Sequence, residues 1–88
     1  MREQTPAILR NIMLEAESAM NAWYQLKLLR LQEGFVVEKL SGRKGHLGDR
    51  RAWFFWDQSE AEQAFERIVL KKTSPGRKRV YQVLQPRD

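Results

Sequence analysis

Apolar residues recur along the chain with two different periods. Ile8, Ile12, Leu14 and Ala16 fall at even spacing, and Ile12–Glu17 reads as a first strand. A helix over Ala7–Met20 competes with it, because Leu, Glu, Ala and Met all favour helices. After a turn over Glu17–Asn21, Tyr24, Leu26 and Leu28 alternate with Gln25 and Lys27 in the manner of a half-buried strand over Trp23–Arg30. Gln32-Glu33-Gly34 supplies a tight turn, and Phe35–Leu40 is the next strand. Arg51–Trp56, rich in aromatics, is another.

The period then changes. Ala61, Ala64, Phe65 and Ile68 stand at i, i+3, i+4 and i+7, which predicts an amphipathic helix over residues 58–72. Asp57 at the N-cap and Glu60 three residues later form a capping-box pattern, and Lys71 and Lys72 suit the carbonyl end of the helix. Ser74-Pro75-Gly76 stops it, and Arg79–Leu84 is a last short strand. The expected fold is α+β: a small antiparallel sheet of about five strands with one α-helix packed across it. Residues 1–11 are expected to be a flexible N-terminal arm and residues 12–88 a single domain.

A chain of 88 residues with 42% hydrophobic and 31% charged residues fits one small globular unit. The absence of cysteine excludes disulfides, cysteine-based zinc sites and thiol nucleophiles, and the one histidine supports neither a histidine metal site nor a triad. No cofactor, metal or small-molecule substrate is expected. Glu15 and Glu17 share a strand face, but carboxylates without a cleft or nucleophile do not make an enzyme. No apolar run is long enough to span a membrane, and the N-terminus has no signal-peptide core, so the expected location is the cytoplasm.

Charge narrows the field further. The net charge of +5 is uneven: residues 1–38 hold four basic and five acidic side chains, net −1, and residues 39–88 hold twelve basic and six acidic, net +6. The basic residues cluster in Lys39–Arg51 and Lys71–Arg79. A surface polarised in this way attracts a polyanion.

Ser41-Gly42-Arg43-Lys44-Gly45-His46-Leu47-Gly48 carries three glycines at intervals of three, which punctuate a loop between two strands. The context is wrong for a dinucleotide fingerprint, and no Gly-Lys-Ser/Thr of a Walker loop follows. The segment resembles the WGR domain, a small module whose motif continues as W-G-R-x-G-x-x-G: Gly42, Arg43, Gly45 and Gly48 match position by position, and Ser41 replaces the tryptophan. Met13-Leu14-Glu15, Asn21-Ala22-Trp23-Tyr24-Gln25-Leu26 and the helix after Phe54-Phe55 resemble further parts of the family. The likeness covers about residues 12–84. The family's terminal Lys-x-Gly-Tyr run is altered here to Gly76-Arg77-Lys78-Arg79-Val80-Tyr81.

In the DNA-damage-responsive poly(ADP-ribose) polymerases such a domain binds DNA ends and nicks, its tryptophan on the terminal sugar and its arginine on phosphates or in the groove. In bacteria, similar domains stand alone or fused to others. The resemblance implies a non-enzymatic module that binds DNA or another polyanion through Ser41, Gly42, Arg43, Lys44, Arg50, Arg51 and Lys39. Ser41 removes a stacking surface worth about 1–3 kcal/mol. Lys71, Lys72, Arg77, Lys78 and Arg79 could widen the positive face. The alternative is a protein-interaction module or homodimer that has lost DNA binding with the tryptophan, using a sheet edge or exposed aromatics. Trp53, Phe54, Phe55 and Trp56 cannot all face one core, and Tyr24 is expected inside.

Overall fold

A computed structural model describes residues 6–16, 22–43, 45–74 and 81–84. The elements follow in the order β1 (Ala7–Ala16), β2 (Ala22–Arg30), β3 (Phe35–Arg43), β4 (His46–Phe55), α1 (Gln58–Thr73) and β5 (Tyr81–Leu84). The five strands form one antiparallel sheet in the spatial order β4-β3-β2-β1-β5. The helix therefore carries the chain from one edge of the sheet to the other. This is the α+β architecture expected from the periodicities.

Three boundaries differ from the expectation. β1 begins at Ala7, so residues 7–11 belong to the sheet and the helix over Ala7–Met20 does not form across residues 7–16. The even-spaced pattern is blurred there by an irregularity between Ile8 and Arg10, where the register with β2 shifts. β3 and β4 run on to Arg43 and back to His46, so the glycine segment is two strand ends joined by a tight turn rather than an open loop. The proposed turn over residues 17–21 and the stop at Pro75-Gly76 lie outside the described residues.

Strand alternation sorts the side chains between two faces. On one face Leu14 and Ala16 of β1, Ala22, Tyr24, Leu26 and Leu28 of β2, Val37 of β3 and Tyr81 of β5 are buried, and they meet Ala61 and Phe65 of α1. Trp53, Phe55 and Ile68 pack against this core, so the aromatic run divides: Trp53 and Phe55 turn inward, while Phe54 and Trp56 are exposed and meet edge to face at 4.8 Å. The opposite face, holding Met13, Trp23, Leu29, Val36 and Leu40, has no helix against it among the described residues.

Arg10 fastens the helix to the sheet. Its guanidinium hydrogen-bonds Glu66, lies 3.7 Å from Glu62, and has its Cζ 4.3 Å from the centre of the Phe65 ring. Asp57 occupies the N-cap position and its carbonyl accepts from the Ala61 N–H at 3.1 Å, but its side chain makes no cap bond, so the capping box does not form. At the other end hydroxyls do the capping: Thr73 Oγ1 donates to the Val69 carbonyl at 2.9 Å and Ser74 Oγ to that of Leu70 at 2.6 Å. No helix among the described residues is long and apolar enough to cross a membrane.

Candidate functional site

The hairpin that joins β3 to β4 is shaped by its glycines. Gly45 has φ +82°, the left-handed conformation a tight turn requires, with open space where a side chain would be. Ser41 pairs with Asp49, but Arg43 pairs with His46, so β4 holds one residue more than β3 across this stretch. Gly48 makes that bulge possible: a Cβ there would lie 1.0 Å from the Ser41 carbonyl oxygen. Gly42 is held differently, because a Cβ on it would stand 2.8 Å from Cζ2 of Trp23 on the neighbouring strand.

Alternation then divides the candidate residues between the faces. Register with the buried Ala22, Tyr24 and Leu26 puts Arg43, Ser41 and Lys39 on the helix side, and pairing of Lys39 with Arg51 puts Arg51 beside them. Gly42 and Arg50 stand on the opposite face. Lys44 lies outside the described residues, as do Arg77, Lys78 and Arg79.

Arg50 is engaged where it stands. Its Nε donates to Glu38 Oε2 at 2.9 Å, and its Nη2 donates to the same oxygen. Lys27 Nζ reaches the other oxygen of Glu38 at 3.9 Å. On the open face two cations thus share one carboxylate.

The helix side is more cationic. Lys39 Nζ lies 5.6 Å from the centre of the Tyr24 ring, and Lys72, arriving from the last turn of α1, lies 4.9 Å from the same ring and 5.7 Å from that of Tyr81. The two tyrosine rings meet edge to face at 5.7 Å and form an aromatic platform beneath the ammonium groups. Asp49 Oδ2 lies 3.3 Å from Lys39 Nζ. Arg43 and Arg51 are exposed on the same side. The Tyr24 hydroxyl is pushed up to about 12, first by burial and then by Tyr81, with the Arg51 guanidinium pulling the other way.

Lys39, Ser41, Arg43, Arg51 and Lys72 thus share one face at the end of the sheet reached by the helix C-terminus. Lys72 was legible only as one basic residue among many, because nothing local in the sequence says that α1 ends over β2. Tyr24 was legible as a core residue and Tyr81 only as part of the last strand, and their use as a platform for cations is a tertiary property. Among the described residues no group of three histidine or carboxylate side chains is placed to hold a metal ion. No protein-family model matches the sequence, and comparison with curated proteins gives no match.

Proposed function

We propose that this chain is a non-enzymatic, WGR-like binding module that holds DNA by its backbone phosphates on the helix side of the β3–β4 hairpin. The observation that carries the reading is the gathering of Lys39, Arg43, Arg51 and Lys72 on one face, where Asp49 contacts Lys39. A guanidinium binds a phosphate through two parallel N–H donors, and an ammonium contributes a point charge. Ser41, between Lys39 and Arg43 on that face, offers a hydroxyl but no ring, which favours phosphate contact over stacking on a strand end.

The test is fluorescence anisotropy with nicked, blunt, single-stranded and RNA oligonucleotides over a salt series. Neutralising three to five phosphates gives a log–log slope of about −3 to −5 for duplex DNA. Arg43→Ala weakens binding by about 1–3 kcal/mol. Affinity that ignores salt, or no binding to any of the four at low salt, overturns the reading.

A second reading, a protein-interaction module, is favoured by the open sheet face, where Trp23, Leu29, Val36 and Leu40 are only half-buried. It gains ground if no nucleic acid binds at low salt.

A further inference from the structure

The ten-residue strand β4 is an edge strand: among the described residues it has β3 on one side and no strand on the other. A long edge exposes a row of unpaired N–H and C=O groups, which another strand can complete. The second edge is broken into two shorter pieces, the four residues of β5 and Ala7–Ile12 of β1, which holds a register irregularity. The helix packs against a face of β4 through Trp53 and Phe55, and among the described residues no strand covers the edge.

The order of residues in the middle of β4 favours one partner. Arg50-Arg51-Ala52-Trp53-Phe54 carries two cations on one side of Ala52 and two aromatics on the other. We propose that a second copy of this chain pairs with the first along β4, antiparallel, about a two-fold axis through Ala52. The axis sets Arg50 opposite Phe54 of the second copy on the open face, and Arg51 opposite Trp53 of the second copy on the helix side. Directly opposed side chains in an antiparallel pair lie close enough to interact, and a guanidinium over an aromatic ring is an attractive pair.

The same chemistry disfavours some other registers. An axis between Arg50 and Arg51 opposes the two arginines to each other, and one between Phe54 and Phe55 leaves both cations without a ring. Arg50 and Phe54 are exposed, at 65% of the side chain and 47% of the residue respectively, so neither leaves a packed site to form the contact. Glu38 holds the Arg50 guanidinium toward β3, so pairing with Phe54 of the second copy turns this exposed side chain outward from that carboxylate. The product is a continuous ten-stranded sheet with both helices on one side. The inference shares Arg51 with the cationic face but rests on the open edge of β4, and its tests read self-association in the absence of DNA.

The chain has no cysteine, so a single introduced thiol reports on proximity without interference. Residues opposed across an antiparallel pair have Cα atoms about 4.5–5.5 Å apart, within the range a disulfide spans. Ala52→Cys, at an exposed position on the axis, is compared with Gln63→Cys, exposed on the outer side of α1, in a thiol–disulfide exchange buffer at equal protein concentration. Ala52→Cys is expected to form disulfide-linked dimer at least about tenfold faster. Sedimentation of the wild-type chain shows a concentration-dependent dimer. Ala52→Lys, which opposes two ammonium groups at the axis, weakens that dimer more than about tenfold and leaves the far-UV circular dichroism unchanged. A chain monomeric to about 1 mM, equal cross-linking of the two cysteine variants, or a dimer indifferent to Ala52→Lys overturns the proposal.

Discussion

The indole of Trp23 covers Gly42. The two residues are direct partners across β2 and β3, and a methyl group on Gly42 would come within 2.8 Å of the ring. The three hairpin glycines are therefore held by three different constraints, and alanine at each has a different cost. Gly48→Ala is the most damaging, because its Cβ would fall inside the Ser41 backbone, and loss of the β3–β4 hairpin is expected. Gly45→Ala meets open space and costs about 1–2 kcal/mol through its positive φ. Gly42→Ala tilts the Trp23 ring and presses on the Gly48 backbone nitrogen, 3.2 Å from the added Cβ, so it shifts Trp fluorescence and costs less stability than Gly48→Ala. Chemical denaturation of the three variants gives the order; Gly48→Ala as stable as Gly42→Ala contradicts it.

That relationship also marks where the sequence stops being informative. The 3.6 period of Ala61, Ala64, Phe65 and Ile68 and the alternation of Tyr24, Leu26 and Leu28 are local signals, and both elements appear within a residue or so of the expected bounds. The glycine spacing announced tight backbone, and Gly48 and Gly45 supply it. What the spacing could not convey was that the strands continue through the motif, so that alternation places Arg50 and Arg51 on opposite faces. Nor does any local pattern reveal that Lys72 comes to rest over Tyr24, forty-eight positions earlier in the chain.

Phe65 is fully buried between α1 and the sheet, and Arg10 stacks on its ring while bound to Glu66 and near Glu62. Removing the ring leaves a cavity worth about 3–5 kcal/mol, against a total stability on the order of 4–10 kcal/mol for a chain of this size. Phe65→Ala is expected to be largely unfolded at 37 °C. Arg10→Ala costs about 1–2 kcal/mol through lost stacking and packing, its ion pairs being partly exposed and screened. Arg10→Lys retains charge without the planar stack and falls between wild type and Arg10→Ala. Urea midpoints check the ranking.

Alkaline pH acts through Tyr24. Its hydroxyl releases a proton at about 12 in the folded chain and at 10.0 ordinarily. Below pH 10 both states are protonated and the contribution to stability is fully present. Between these values the unfolded state binds fewer protons, so stability falls as pH rises, by about 1–3 kcal/mol in all, and levels off above 12. Tyr81, Lys39, Lys72 and Arg51 surround the ring, and Tyr24→Phe isolates its share. The variant is expected to lose stability less steeply than wild type between pH 10 and 12. Parallel urea-midpoint curves would assign the alkaline loss to other groups.

Adjacent arginines on one strand provide the sharpest test of where DNA binds. Arg51 faces the Lys39–Lys72 side, and Arg50 faces away and is held by Glu38. If phosphates bind the cationic face, Arg51→Ala weakens duplex affinity by about 1–3 kcal/mol and reduces the salt slope by about one. Arg50→Ala changes affinity less than about twofold, as expected for a cation outside the phosphate contacts. Both residues also stand at the proposed self-association edge, so the comparison is made in the Ala52→Lys background, where pairing along β4 is suppressed. Equal losses from the two substitutions would mean that DNA responds to net charge rather than to a face, and the assignment of the site to the helix side would fall.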